Sequence, residues 1–324
     1  MRAAWYEKNG PAADVMQVGD LPDPVPGAGE VLVRLYASAV NPSDVKARAG
    51  SRKISWDRII PNSDGAGVIE RVGAGVDAAR VGQRVWTFNA QWERPGGTSA
   101  QYVALPAALA VPLPDAVSFE QGACLGIPVM TAHRCLFADG PVSGKTVLVT
   151  GGAGVVAHYA IQLAKWAGAK VVTTVSSQAK ADHARAAGAD VIVNYRSEDV
   201  VARIRKETGG VDHIVEVEFG RNLPVTAQII RPNAVVASYA STGDPKPPFP
   251  YYDLFRLNPV IRPVLVYSMS DAAKAQAQAD IARWLAQAKP VFAIAERFAL
   301  DDVVKAHLAV ERGEKIGHVI LAIG

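Results

Sequence analysis

The stretch Thr146–Ala157, TVLVTGGAGVVA, continues as HYAIQLAKWAGAKVVTTVSS and decides the fold of this chain. A short apolar run rich in β-branched residues leads into a turn that fits the pattern G-x-G-x-x-G/A. Apolar residues at helical spacing then lead to Gly168, after which a second apolar run begins. This order predicts a βαβ unit in which N–H groups at the start of the helix bind the pyrophosphate of a dinucleotide. The predicted cofactor-binding turn consists of Gly152, Ala153, Gly154, Val155 and Val156.

The end of the second apolar run indicates which dinucleotide binds. An enzyme that prefers NAD usually has an acid about 20 residues beyond the glycines, where it binds the ribose hydroxyls. This chain has Ser176, Ser177 and Lys180 there, and no acid. Two hydroxyls and an ammonium supply donors for a 2′-phosphate, and Tyr195 and Arg196 follow the next apolar run. We therefore expect NADPH, although Ser176 as a helix cap and Lys180 as a solvated side chain also explain these residues.

Length and composition predict a cytoplasmic protein of two domains. The chain has 324 residues, of which 49% are hydrophobic, and no apolar run approaches the length that a membrane helix needs. Its formal net charge of +3 is small and scattered, so we expect neither a nucleic-acid nor a membrane partner. The two cysteines, Cys124 and Cys135, lie in an apolar stretch that is typical of buried thiols rather than of a disulfide or a metal site.

Three regions of the chain differ in pattern. Residues 1–120 contain short β-branched runs separated by Gly and Pro, which predicts a β-rich, barrel-like domain. Residues 121–264 alternate strand-like and helix-like runs, which predicts an α/β fold with a doubly wound parallel sheet. Residues 265–324 are too few for a stable domain, so we expect them to complete the first one. Within these regions we predict parallel strands at 147–150, 171–175, 191–194, 213–216 and 235–239, and a tail helix at 271–288.

Six motifs occur in the order seen in one protein family. They are Gly29–Arg34, Asn41–Asp44, Pro61–Val68, Gly96–Tyr102, Gly126–Ala132 and the glycine turn. With these motifs the chain resembles the zeta-crystallin-type quinone oxidoreductases, in the zinc-independent branch of the medium-chain dehydrogenase/reductase superfamily. The resemblance implies a GroES-like β-barrel catalytic domain, a Rossmann domain that binds NADPH, a cleft between the two domains and a homodimer.

Whether the protein binds zinc depends on the side chains at the positions that hold zinc in related dehydrogenases. Zinc enzymes of this superfamily use a cysteine, a His-Glu pair and a further Cys or Asp as ligands of the catalytic ion. The corresponding positions here look like Asn41 and Ser63-Asp64, which offer neither a thiolate nor an imidazole, so we expect no metal. Without a Lewis acid alcohol oxidation is disfavoured, whereas a quinone or an enone is already electrophilic enough to accept hydride from NADPH.

The predicted catalytic residues are Asn41, Asp44, Lys46 and Thr131. The resemblance implies that Asn41 and Thr131 lie near the nicotinamide, so both are also cofactor-binding candidates. An amide at Asn41 can stabilise an oxyanion, and Asp44 is expected to line the same pocket. Lys46 stands where the family often has a tyrosine. The alternatives are a turn-forming asparagine at 41, a helix-start acid at 44 and plain helix packing at 131.

The segment Lys315–Val319 resembles the G-K segment that lies near the cofactor in the family. It adds Gly317 and His318 to the cofactor-binding candidates. Because His318 stands where Lys or Arg is frequent, a phosphate contact from this position would depend on pH.

Three functions are compatible with the sequence. We expect an NADPH-dependent reductase that transfers hydride to a quinone or an α,β-unsaturated carbonyl. The first alternative, an enoyl-thioester reductase of the same fold, needs a patch for an adenosine phosphate that the sequence does not reveal. The second, a non-catalytic relative that binds nucleotide or RNA, is disfavoured because the sequence lacks a basic surface with interleaved aromatic residues.

Overall fold

The secondary structure follows the alternating apolar runs of the sequence. The structure is a computed structural model that describes residues 1–324. Its strands are β1 (Arg2–Trp5), β2 (Gln17–Asp20), β3 (Glu30–Val40), β4 (Asp64–Val72), β5 (Arg84–Thr87), β6 (Tyr102–Pro106), β7 (Ala110–Pro112), β8 (Thr146–Val149), β9 (Lys170–Val175), β10 (Val191–Asn194), β11 (Val211–Glu216), β12 (Ile230–Ser238), β13 (Val260–Pro263), β14 (Ile294–Ala299) and β15 (His318–Ala322). Its α-helices are α1 (Ala12–Val15), α2 (Pro42–Lys46), α3 (Phe119–Ala123), α4 (Ile127–Phe137), α5 (Val155–Trp166), α6 (Gln178–Ala186), α7 (Val200–Thr208), α8 (Phe219–Ile229), α9 (Tyr251–Phe255), α10 (Asp271–Gln287) and α11 (Val303–Arg312).

Residues Pro128–Val291 form one compact unit around a six-stranded sheet, which we call the parallel-sheet unit. The strand order is β10-β9-β8-β11-β12-β13, and every neighbouring pair is parallel. Successive crossovers run first to one side of β8 and then, from β11 onward, to the other. In such sheets ligands bind outside the carboxyl ends of the strands, at the point where the order reverses. The predicted doubly wound parallel sheet is confirmed.

Residues Met1–Ile127 and Phe292–Gly324 form the other compact unit, which we call the β-rich unit. Its main sheet has the order β14-β15-β3-β4-β5-β7, and β6 pairs with β3 outside this path. The long strand β3 is therefore central, because it pairs with β4, β6 and β15. Apolar side chains of β3, β15 and α11 share one core. The C-terminal residues thus supply two strands and a helix to the sheet that the N-terminal residues begin.

The boundaries of the two units differ from those expected from the sequence. The units divide after residues 127 and 291, whereas the sequence pattern placed the divisions near 120 and 264. The second difference arises because α10 belongs to the parallel-sheet unit. Trp284 of α10 is buried there and meets the ring of Tyr159 on α5 edge-on, with 6.2 Å between the ring centroids. An amphipathic pattern predicts such a helix but does not say which sheet it covers.

Two further expectations concern the cysteines and membrane-spanning helices. Cys124 and Cys135 are both buried, as predicted, and neither forms a disulfide. Burial raises the pKa of Cys135, so this thiol stays protonated. No helix combines the length and the apolar character required to cross a membrane.

The centre of the parallel sheet contains a buried histidine. His213 on β11 is 1% exposed, and its Nε2–H donates to the backbone oxygen of Cys135 at 2.8 Å. Burial lowers the pKa of His213 from 6.5 to about 4. A histidine that is buried in its neutral form must be charged on acid unfolding, so the folded state loses stability as the pH falls between these two values.

We therefore expect His213→Gln to flatten the pH dependence of the unfolding free energy. Glutamine keeps an N–H donor for the Cys135 carbonyl but does not titrate. Since one pKa unit is worth about 1.4 kcal/mol, wild type should lose about 3 kcal/mol more than the variant between pH 6.5 and pH 4. Urea unfolding at several pH values measures this difference, and parallel stability curves for the two proteins would contradict it.

Candidate functional site

The glycine turn connects β8 to α5 at the carboxyl edge of the parallel sheet. Gly154 is the N-cap of α5, has extended backbone angles (φ −71°, ψ 152°) and provides no capping side chain. A Cβ at Gly152 would overlap Oγ1 of Thr173 on β9, so a glycine is needed for the turn to pass this close to the strand. The first N–H groups of a 12-residue helix and the positive end of its dipole thus lie at the reversal of the strand order, an arrangement that binds phosphate.

All five residues predicted for the cofactor turn lie in this feature. Gly152, Ala153 and Gly154 form the turn, and Val155 and Val156 are the first residues of α5. The two valines are half-buried, and Ala157, at the third position of the pattern, is completely buried. The alanine at 157 is therefore accommodated where α5 packs on the sheet.

A second polar group lies beyond the carboxyl end of β9. Lys180 Nζ donates to Ser176 Oγ at 3.0 Å, and Ser177 Oγ accepts the Lys180 N–H at 3.4 Å as the N-cap of α6. The helix cap is thus Ser177, whereas the alternative considered from the sequence assigned it to Ser176. Tyr195 follows β10, and its N–H donates to the oxygen of Val175 at 3.1 Å. The structure brings Ser176, Ser177, Lys180 and Tyr195 together at the ends of two adjacent strands, next to the glycine turn.

The β-rich unit contains a buried network around Asn41, the N-cap of α2. Asn41 N–H donates to Asp44 Oδ2 at 2.8 Å, and Asn41 Nδ2 donates to Asp64 Oδ2 at 2.7 Å. The three side chains are between 0 and 4% exposed. The β3–β4 register explains their proximity, because it pairs Asp64 with Ala39. Asn41 and Asp44 are therefore together as predicted, and Asp64 is a member of the group that sequence reasoning did not assign to the site.

Burial shifts the two carboxyls of this network toward their neutral forms. Burial raises the pKa of Asp44 to about 7. Burial also raises the pKa of Asp64 well above its ordinary value, and the nearby Asp44 raises it further. Oδ1 of each carboxyl has no hydrogen-bond partner. An uncompensated charge at both positions would be costly, so protonation relieves the repulsion between them.

The donor set at this network does not fit a catalytic zinc ion. Zinc in such sites prefers thiolate and imidazole ligands. Here an amide nitrogen occupies the space beside the carboxyl of Asp64, and neither Ser63 nor Asn41 supplies a soft ligand. The chain contains no group of three or more His, Cys, Asp or Glu side chains arranged to hold a metal.

The other predicted site residues lie on α4, on α2 and at the start of β15. Thr131 is buried on α4, in the parallel-sheet unit. Lys46 is the last residue of α2 and is exposed. Gly317 and His318 belong to the β-rich unit, where the His318 N–H donates to the oxygen of Ala293 at 2.7 Å. The His318 ring is buried.

Sequence reasoning also missed an acid at the reversal of the strand order. Glu216 ends β11, is completely buried, and its Oε1 accepts from Thr150 Oγ1 and from Asn222 Nδ2, both at 2.8 Å. Thr150 follows β8, so the pair joins the two strands between which the order reverses. The sequence signal was an acid at the end of an apolar run, which is typical of any strand end. Burial raises the pKa of Glu216, although its hydrogen bonds oppose that rise.

Family comparisons agree with both units. Residues 27–115 match the alcohol dehydrogenase GroES-like domain family, and residues 155–283 match the zinc-binding dehydrogenase family. The first range lies in the β-rich unit and the second in the parallel-sheet unit. The GroES-like and Rossmann fold classes expected from the sequence are therefore confirmed.

Comparison with individual proteins shows to which family within these dehydrogenases the chain belongs. The chain is 31% identical to human quinone oxidoreductase over 330 residues, which cover 98% of this chain and 96% of the human protein. A mycobacterial quinone oxidoreductase superposes with a TM-score of 0.88 at 29% identity, covering 99% of each chain. A mycobacterial protein complexed with NADPH superposes with a TM-score of 0.86 at 29% identity, covering 99% of this chain and all of that one. A structure described as an NAD-dependent alcohol dehydrogenase superposes over the full length of both chains, with a TM-score of 0.90 and 29% identity. The chain belongs to the zeta-crystallin-type quinone oxidoreductase family of the medium-chain dehydrogenase/reductase superfamily.

Proposed function

We propose that the protein is an NADPH-dependent reductase of quinones or of activated, α,β-unsaturated carbonyl compounds. The observation that carries this proposal is the glycine turn at Gly154, with Ser176 and Lys180 beside it and no acid at the end of β9. The NADPH complex of the mycobacterial relative supports it. Bound NADPH would supply the hydride that the acceptor takes up.

The residues of the chain have separate roles in this proposal. The N–H groups at Gly152–Val156 hold the pyrophosphate, and Ser176, Ser177, Lys180 and Tyr195 surround the 2′-phosphate. The bond from Lys180 to Ser176 holds the ammonium at the strand end before the phosphate arrives, which lowers the cost of ordering that side chain.

The acceptor needs a donor for the negative charge that develops on its carbonyl oxygen. The Asn41 amide nitrogen carries two hydrogens, and Asp64 accepts one of them. We assign the other to the acceptor oxygen, since a buried and fixed donor stabilises such a charge without reorganisation. Thr131, Asp44 and Lys46 complete the proposed catalytic set, and Gly317 and His318 complete the proposed cofactor contacts. A homodimer remains a prediction from the family resemblance, and a cytoplasmic location remains a prediction from length and composition.

Initial rates of NADPH and NADH oxidation with quinones, enones and an enoyl thioester test the proposal. Turnover of NADPH with a quinone or an enone is the expected result. Turnover confined to the enoyl thioester would favour the alternative function of an enoyl-thioester reductase. Absence of turnover with every acceptor, despite tight binding of NADPH, would favour a binding role.

The first prediction from the proposed function concerns cofactor choice. We expect wild-type protein to bind NADPH more tightly than NADH, and Lys180→Ala to reduce that preference by about 1 to 3 kcal/mol, the value of a charge-assisted contact to phosphate. Lys170→Ala is the matched control, because Lys170 begins β9 at the opposite end of the strand. Fluorescence titration with both cofactors measures the preference, and equal affinity of wild type for the two would refute the assignment.

The second prediction concerns the acceptor. Asn41→Ala should lower kcat about 10- to 1000-fold, because it removes an oxyanion donor, and should leave the Kd of NADPH nearly unchanged. Asp44→Ala should have a smaller effect on kcat. Steady-state kinetics on a quinone and an enone, together with cofactor titration, separate the two quantities. Full activity of the Asn41 variant on both acceptors would move the chemistry elsewhere.

The third prediction concerns metal. We expect purified protein to contain far less than one zinc ion per chain and to keep its activity in a chelator, because the side chains around Asn41 are poor zinc ligands. Elemental analysis and an assay after incubation with chelator provide the check. One zinc per chain, with loss of activity on its removal, would contradict the expectation.

A further inference from the structure

Asp64 is the shared acceptor of two buried N–H groups from distant parts of the chain. Its Oδ2 accepts from Asn41 Nδ2 at 2.7 Å and from the backbone N–H of Ile127, the first residue of α4, at 2.8 Å. Asp64 itself is 0% exposed. One oxygen thus links the segment that follows β3 to the start of a helix more than 60 residues further along the chain.

The residues around Asp64 hold its carboxyl in a single orientation. Thr98 Oγ1 donates to the backbone oxygen of Asp64 at 2.8 Å, which fixes the start of β4. On the other side the carboxyl lies against Gly126, where an added Cβ would overlap Asp64 Oδ1. The glycine therefore makes room for the acid. Because Asp64 has no space to rotate, the direction in which Oδ2 points is set by the backbone around it.

A fixed acceptor decides which way the Asn41 amide faces. The two ends of an asparagine amide have the same shape, and only hydrogen bonding distinguishes them. With the nitrogen toward Asp64 the contact is a hydrogen bond, whereas the reverse would place two oxygens against each other. Protonation of Asp64 would keep this preference, because Oδ2 already accepts two N–H bonds and a proton would bind Oδ1, which has no partner.

We propose that Asp64 is a positioning residue for the reductase reaction, which holds the Asn41 amide with its nitrogen toward Asp64 and so fixes the donor offered to the acceptor. The inference rests on the proposed function of Asn41. The proposal requires that Asp64 place an accepting oxygen beside the Asn41 amide. It does not require that Asp64 carry a negative charge. This requirement distinguishes the proposal from general electrostatic support and from a purely structural role.

Two substitutions separate these roles. Asp64→Asn retains an accepting oxygen in the same volume, so kcat on a quinone should stay within about threefold of wild type. Asp64→Ala removes the acceptor, so kcat should fall about 10- to 100-fold, as for other residues that orient a functional group. The Kd of NADPH should change little in both. Asp280→Ala, which removes another buried carboxyl from α10, is the matched control and should keep wild-type kcat.

A double-mutant cycle tests whether Asp64 acts through Asn41. In the Asn41→Ala background, Asp64→Ala should cause no further loss of kcat, because the group that it positions is absent. Additive losses would overturn the proposal in favour of a structural role. A loss in Asp64→Asn as large as that in Asp64→Ala would also overturn it, because charge would then be the required property.

A spectroscopic measurement covers the case in which a variant is unstable or wild type reduces no acceptor. Selective ¹⁵N-asparagine labelling gives the side-chain amide signals, and Asn41→Ala identifies the pair that belongs to Asn41. In wild type and Asp64→Asn one hydrogen of that pair should be shifted downfield and protected from exchange. In Asp64→Ala both features should be lost. Unchanged Asn41 signals in Asp64→Ala would overturn the inference, while missing turnover in wild type with the expected signals would overturn only the proposed function.

Discussion

The close approach of the glycine turn to β9 is the constraint on which the parallel-sheet unit depends. At Gly152 the backbone passes so near Thr173 that no side chain fits between them. This approach lets α5 start directly above the sheet, with its N-terminus at the reversal of the strand order. A larger residue would push the helix away from β9, and the N–H groups of the turn would no longer lie beside Ser176 and Lys180. The same contact therefore sets both the packing of α5 and the position of the N–H groups proposed to hold the pyrophosphate.

Much of this unit could be predicted because its determinants are local. The strands are continuous apolar runs, and the glycine pattern lies between two of them, so their type and order follow from the sequence. The helix cap was harder to predict: the adjacent serines at 176 and 177 look alike as caps, and the bond from the Lys180 N–H to Ser177 Oγ shows that Ser177 is the N-cap of α6. Which sheet α10 covers depends on the residues against which Trp284 packs. Nothing in the periodicity of the helix specifies that partner.

The network around Asn41 was only partly predictable for the same reason. Asn41 and Asp44 are three residues apart, and their hydrogen bond is that of a helix start. Asp64 reaches Asn41 through the β3–β4 register and reaches Ile127 across 63 positions of the chain. Pairs at such separations leave no pattern in a single sequence. A family resemblance indicates the position of Asp64 but, since relatives with zinc use the same region differently, not what the carboxyl does there.

Three buried acids at strand ends or helix starts suggest how the protein tolerates polar groups near its candidate site. Asp44, Asp64 and Glu216 each accept N–H or O–H bonds through one oxygen while the other has no partner. Burial raises the pKa of all three acids, and a neutral carboxyl still accepts through its carbonyl oxygen. Each acid can therefore orient an amide or a hydroxyl whether or not it carries a charge. In the proposed reaction an ionised Asp64 would oppose the charge that develops on an acceptor bound by Asn41, so the burial that raises the pKa of Asp64 favours that chemistry.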